Sequence, residues 1–490
     1  MTAMAQPLTG ASPSCLAWDS INWETVKAQV FRLQVRIAKA VREGRQGKAK
    51  ALQWLLTHSF YAKSLAVKRV AQNRGGKTPG VDKVVWRTPR QKVKAVQSLQ
   101  RRGYQTQPLR RIYIPKKDGR QRPLGIPTMK CRAMQALYLL ALEPVAEVRA
   151  NKNSYGFRPK RSTADAIEQC FKMLARKVSS KWVLEADIKS CFDNISHAWL
   201  RKFIPMDKEM LGKWLSAGYI DEGVFHQTEE GTPQGGIISP TLLNLTLSGL
   251  EEAITNATSK YKAKINCIIY ADDFIITGAS KEVLEQKVKP IVESFLRERG
   301  LILSQEKTHV THIDDGFDFL GTNIRKYKGK LIMKPSKKSN QSFLNNIRDL
   351  IKSNPTDKTE NLIRLLNPKI RGWANFHRHI CAKSTFSYVD KQIFQALWCW
   401  AKRRHPRKSR AWLKKKYFRQ YKLKDWIFFA KTTDGDDVAG HIELSNAAAT
   451  PIKRHIKVRG EAIPFDPVYR EYFAKRESNA SKIWKLFKEI

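Results

Sequence analysis

The sequence predicts an α+β fold followed by a helical region and a small basic module, on three observations. Short apolar runs at 182–188, 264–270, 274–278, 309–312 and 317–321 alternate with helical segments, the signature of a sheet domain with one tight hairpin. From Ser336 to about Phe429 strand signals fade and helical periodicity takes over. After the acidic turn Asp434-Gly435-Asp436-Asp437 only a short basic stretch remains. A chain of 490 residues has room for several cores, and these shifts mark boundaries near 336 and 433.

The elements follow in order. Residues 1–20 are small and polar, without the basic-then-apolar pattern of a secretory leader. Val26, Val30, Leu33, Ile37 and Val41, then Leu52, Leu55, Leu56 and Phe60, recur at three and four among lysines and arginines. The segment 26–68 therefore reads as two basic amphipathic helices. A turn-rich basic loop covers 75–82. Residues 110–115 alternate like a strand, 117–120 supply a turn and 121–126 return, which predicts a basic hairpin. A helix is expected over 128–148.

Charge narrows the partners. Ninety Lys and Arg stand against 44 Asp and Glu, a formal net charge of +46. A field of that size gathers polyanions, and nucleic acid is the polyanion it fits best. The stretch 401–430 is densest, with Trp412, Tyr417, Phe418, Tyr421, Trp426, Phe428 and Phe429 set among its cations. Such a stretch would grip a phosphate backbone while its rings pack or stack. The longest uncharged run, 231–250, holds prolines and glycines and is no membrane span. The seven cysteines form no C-x-x-C pair, so neither a zinc knuckle nor a disulfide framework is expected, and reduced thiols suit the cytoplasm.

The sharpest chemical signal is Tyr270-Ala271-Asp272-Asp273, set between the apolar runs 265–269 and 274–276. Adjacent acids at a hairpin tip repel each other unless a cation holds them. A third carboxylate, Asp187, ends the apolar run 182–186. Three carboxylates from neighbouring strands are what phosphoryl transfer through two metal ions requires, and magnesium suits oxygen ligands beside substrate phosphates.

Asp187 with Phe192 five residues on, and then Tyr270-Ala271-Asp272-Asp273, resemble the palm motifs of reverse transcriptases. The match extends in order through Tyr155-Gly156-Phe157-Arg158-Pro159, Gly231-Thr232-Pro233-Gln234-Gly235-Gly236, Leu303-Ser304-Gln305-Glu306-Lys307-Thr308 and Phe317-Asp318-Phe319-Leu320-Gly321. The flanks, Lys77-Thr78-Pro79-Gly80-Val81-Asp82 and Arg371-Gly372-Trp373-Ala374-Asn375-Phe376, resemble those of bacterial group II intron-encoded proteins. The resemblance implies a right-hand polymerase. Extension helices and the start of the fingers would occupy 1–90, fingers and palm 91–335, the thumb or maturase domain 336–432 and a DNA-binding domain 433–490. No cysteine follows Cys399, so the zinc-binding endonuclease that ends many relatives is not expected.

The resemblance also assigns roles. Asp187, Asp272 and Asp273 would hold two magnesium ions. Phe192 would lie under the sugar and reject a 2′-hydroxyl. Lys116 and Arg122, across the hairpin turn, would bind the triphosphate of the incoming deoxynucleotide, with Gln234 and Gly235 against it. Arg403, Arg404, Arg407, Lys414, Lys415 and Lys416 would contact RNA. Asp193 reads as a cap of the following helix and Asn194 as a turn former. The expected protein copies RNA into DNA, assists splicing of its intron RNA, and inserts that RNA at a DNA target by target-primed reverse transcription, in the cytoplasm or on the nucleoid, as monomer or dimer. Two alternatives stay open: a reverse transcriptase of another bacterial class (retron, diversity-generating or phage-defence), and an RNA-binding maturase without polymerase activity.

Overall fold

The computed structural model describes residues 18–115, 119, 121–258, 263–421, 424–432 and 440–486. The N-terminal region holds three helices, Trp23–Arg42, Gln46–His58 and Phe60–Gln72, where the periodicity suggests two. The extra break falls at Ser59, whose backbone is extended. Just before it, Thr57 Oγ1 donates to the Gln53 and Trp54 carbonyls and His58 Nδ1 bonds the Trp54 carbonyl, which competes with continued helix. All three helices pack on Met129–Arg149, which is apolar nearly all round and forms the centre of the core. Gln34 Nε2 reaches that helix at the Leu140 carbonyl, 2.8 Å away.

The expected basic hairpin is present as β1 (Leu109–Pro115) and β2 (Gln121–Ile126). Strand β3 (Trp182–Asp187) runs into the middle of the molecule, with Val183, Leu184 and Ala186 buried. Strands β4 (Tyr219–Asp221) and β5 (Val224–His226) join the hairpin in the order β2-β1-β4-β5, β4 lying parallel to β1. Strands β6 (Asn266–Tyr270), β7 (Asp273–Gly278) and β8 (His309–His312) complete an antiparallel central sheet, β6-β7-β3-β8. A meander, β9 (Phe317–Phe319), β10 (Thr322–Tyr327) and β11 (Lys330–Pro335), leads out of it.

Three helices follow, Lys337–Ser353, Thr359–His377 and Lys383–Arg404, then a short one, Arg410–Tyr417. Here the sequence expectation fails. The chain turns to strand at Phe418 rather than staying helical to Phe429, giving β12 (Phe418–Tyr421), β13 (Lys424–Thr432) and β14 (Gly440–Glu443). The aromatic residues decide it. Phe418 pairs with Phe428 across the strands at 5.4 Å between ring centroids, and both are buried. Strand β14 pairs with β13 across the boundary expected at residue 432, and the acidic turn 434–437 lies outside the described residues.

The last segment is strapped back across the sheet domain. Lys453 N–H donates to the Arg378 carbonyl, and His455, Val458 and Arg476 all converge on Asp165 of the helix Thr163–Leu174. Farther on, Asp466 pairs with Arg42 at 2.9 Å and Phe465 lies against Phe31. Among the described residues, no helix is long and apolar enough to cross a membrane.

Candidate active site

The tetrapeptide 270–273 closes the β6–β7 hairpin, with Tyr270 opposite Asp273 and Ala271-Asp272 as the two-residue turn. Ala271 has φ +59°, the left-handed conformation that such turns demand and that alanine rarely adopts. What holds it is the block 153–158 alongside. Tyr155 N–H donates to the Ile269 carbonyl (2.9 Å) and Ile269 N–H to the Asn153 carbonyl (3.0 Å). Gly156 sits so close that a Cβ there would lie 2.4 Å from the Ala271 nitrogen. Behind it, Arg158 forms a fully buried ion pair with Glu147 and also donates to the Asn151 and Ser154 carbonyls.

Antiparallel register places Asp187 of β3 directly opposite Asp273 of β7. Like charges across strands are destabilising at this spacing. The electrostatics reflect it. Burial, then the negative charges of Asp187, Asp272 and Glu185, push the Asp273 carboxyl up to about 7. Burial also raises Asp272, with Asp187 adding to the rise, while Lys307 and Arg122 pull it back. A site whose carboxyls resist ionisation together is one that a divalent cation relieves. A cation already stands there: Lys307 Nζ is ion-paired to Asp187. The donor set therefore fits a hard metal ion. As the side chains stand, no three acidic, histidine or cysteine groups close around one position among the described residues.

At the turn after β3, Phe192 is half-buried and meets Phe157 edge-on at 6.4 Å. Gln234 Nε2 donates to both carboxylate oxygens of Asp193 at 3.1 Å. Asp193 thus does not cap the following helix. Ser196 caps it, its side chain accepting from Trp199 N–H. Gly235 is tight against the protein itself, since a Cβ there would lie 2.7 Å from the Gly125 carbonyl oxygen of β2, while Gly125 N–H donates to the Gln234 carbonyl at 2.8 Å. Arg122 is exposed on β2, near enough to bias Asp272. Lys116 lies outside the described residues.

Lys307 and Glu185 are absent from the sequence-derived site. Glu185 shares a strand face with Asp187 two residues on, a period-two signal that was available. Lys307 offered only a position in a block after the hairpin, 120 residues from its partner.

Three family models match the chain. Residues 114–324 match the reverse transcriptase (RNA-dependent DNA polymerase) family, 18–99 its N-terminal domain, and 340–418 the group II intron maturase-specific domain. Protein YkfC of Escherichia coli is 33% identical over 53% of this chain and 79% of its own length. The group II intron-encoded protein LtrA of Lactococcus lactis is 29% identical over 68% of this chain, which spans 66% of LtrA. The chain belongs to the group II intron-encoded reverse transcriptases. It is an RNA-directed DNA polymerase with a maturase domain that binds intron RNA. Among solved structures, telomerase from Candida albicans aligns over 61% of this chain and 58% of its own, at 14% identity and a TM-score of 0.38.

The maturase region presents two kinds of cation. Arg403, Arg407 and Lys415 are exposed, whereas Arg404 donates to the Asp357 carbonyl and lies 5.1 Å from the Trp400 ring centre. Lys414 and Lys416 sit over Trp426 and Trp412, at 4.4 and 4.7 Å. Of the aromatic residues, Tyr417, Phe418 and Phe428 are core and Trp426 remains accessible. Between the maturase helices and the C-terminal strap lies a cleft of ≈ 2610 Å³, with Arg371, Arg378, Arg410 and Lys453 lining it beside Trp398 and Trp426.

Proposed function

We propose that Asp187, Asp272 and Asp273 hold two magnesium ions for transfer of a deoxynucleotide to a primer 3′-hydroxyl. The observation that carries this reading is the cross-strand Asp187–Asp273 pair with Asp272 at the adjoining tip. Bound there, the ions would favour the 3′-alkoxide and stabilise charge on the transferring phosphoryl group. The chain's own residues orient the substrates. The Phe192 ring, braced by Phe157, occupies the space a 2′-hydroxyl would need. Arg122 supplies charge for the triphosphate, joined by Lys116. Gln234 fixes the 192–193 turn through Asp193. The new bond joins the primer oxygen to the α-phosphorus as pyrophosphate departs.

The same reading gives residues 336–432 the thumb and intron-RNA role, with Arg403, Arg404, Arg407 and Lys414–Lys416 and the basic cleft as phosphate contacts. It gives 433–490 the target DNA, reached in the cytoplasm or on the nucleoid during target-primed reverse transcription. Asp272→Ala and Asp273→Ala should each abolish cDNA synthesis on a primed RNA while leaving intron-RNA affinity within about twofold, because phosphate contacts elsewhere carry the binding. Full-length cDNA from either variant refutes the assignment.

A further inference from the structure

Lys307 is fixed on the end of β3 by backbone bonding rather than by its own packing. Ile188 forms an isolated bridge with Leu303, Lys189 N–H donates to the Ile302 carbonyl (2.9 Å), and Ser304 N–H donates to the Asp187 carbonyl (2.8 Å). A single 3-10 turn, Gln305–Lys307, then delivers the lysine to the Asp187 carboxylate. The side chain itself is 61% exposed, against 20% for Asp187. Backbone geometry therefore sets where the ammonium starts from, and little but charge keeps it there. An exposed ion pair of this kind is weak and easily exchanged.

The ammonium serves the whole carboxylate group. Asp187 and Asp273 face each other, with Asp272 in the adjoining turn. One positive charge thus offsets repulsion among three acids that the fold brings together. The carboxylate it occupies is also the one assigned to the metal. Both cations cannot take the same Asp187 oxygen.

We propose that Lys307 is the resident counter-cation of Asp187 and competes with the divalent ion for that carboxylate, so that loading the metal requires the lysine to swing out. The proposal rests on the assignment of Asp187 to the metal site. Lys307 is then a positioning residue: it offsets the charge of the carboxylates in the ion's place, and it lowers the affinity for a metal arriving without substrate. A triphosphate, which brings negative charge of its own, shifts the exchange toward the metal.

The test is titration of the full chain with Mn2+ alone, without nucleotide or nucleic acid, following the free ion by electron paramagnetic resonance. Wild type is compared with Lys307→Gln, Lys307→Arg and Asp187→Asn. Lys307→Gln should bind the ion about two- to fivefold more tightly, the span expected for loss of an exposed ion pair. Lys307→Arg should match wild type, since the cation is kept. Higher monovalent salt should shrink the difference between Lys307→Gln and wild type. Equal or weaker binding by Lys307→Gln, or equal tightening by Lys307→Arg, overturns the proposal. Loss of Mn2+ binding in Asp187→Asn without tightening in Lys307→Gln refutes the lysine's role alone. Binding unchanged in Asp187→Asn refutes the metal assignment and the proposal with it.

Discussion

Replacing Asp165 by Ala should detach the C-terminal strap from the palm without unfolding the polymerase core. The carboxylate is 1% exposed. One oxygen accepts from His455 Nε2 (2.8 Å), Val458 N–H (2.7 Å) and Arg476 (3.3 Å); the other accepts from the backbone and hydroxyl of Ser162, at 2.9 and 2.8 Å. Charge-assisted hydrogen bonds contribute about 1.5–3 kcal/mol each, but bonds sharing one carboxylate are not additive. The better bound is the roughly 3–5 kcal/mol lost when one side of a buried ion pair is removed. Opening of the strap should therefore become about a hundredfold to several thousandfold more frequent. Hydrogen exchange by mass spectrometry reads this directly: peptides over 453–476 lose protection while those over 183–188 keep theirs. Unchanged strap protection, or a loss spread evenly over the chain, refutes the reasoning. Acid should act in the same direction. Burial favours the neutral acid, yet bonding from His455, Val458 and Ser162 outweighs it and leaves the Asp165 pKa lowered. The stability it contributes is thus full above the ordinary carboxylate value and disappears as pH falls through the depressed one.

Three more outcomes are expected. Gly156→Ala should cut cDNA synthesis by about a hundredfold, because the new methyl displaces the tip that carries Asp272, while the melting temperature stays near wild type; normal turnover would show the tip to be adaptable. Phe192→Ala should admit ribonucleotides, read as the ratio of deoxy- to ribonucleotide incorporation, and an unchanged ratio would return Phe192 to core packing. Neutralising Arg403, Arg407 and Lys415 together should flatten the logarithmic salt dependence of intron-RNA binding by about two to three units. The matched triple Lys39, Lys48 and Lys50 should change it less, and equal slopes would remove the special role of the thumb.

The carboxylates were legible because their chemistry constrains sequence. Few arrangements tolerate Asp272 beside Asp273 between apolar strands, and those strands were readable as continuous apolar runs, which the structure buries without a break. The hairpin β1–β2 was readable from its alternation and the turn between its arms. What stayed hidden depends on distant partners. Nothing local to Lys307 points to Asp187, and nothing local to Asp165 points to a histidine 290 residues later. The β10–β11 hairpin carries its local signal in Gly329, which readily takes the positive φ that it and Lys328 adopt in the two-residue turn. Residues 418–432 misled for another reason. Their aromatic spacing satisfies both three-to-four and alternating periods, and only packing of Phe418 on Phe428 and Trp398 selects the strand.

The junction of Gly125 with Gln234 and Gly235 makes the β1–β2 hairpin a lever. Because the joint consists of main-chain atoms alone, it transmits tilt whatever side chains surround it. From Gly125 to Gln121 the arm is about 13 Å long at the usual strand rise, so a ten-degree rocking moves its outer end by roughly 2 Å. The inner end hardly travels, but it is bonded to the residue that grips Asp193 beside Phe192. On the nucleotide-binding roles proposed above, contact far out on the hairpin would be passed, geared down, to the turn that carries Asp193 and Phe192.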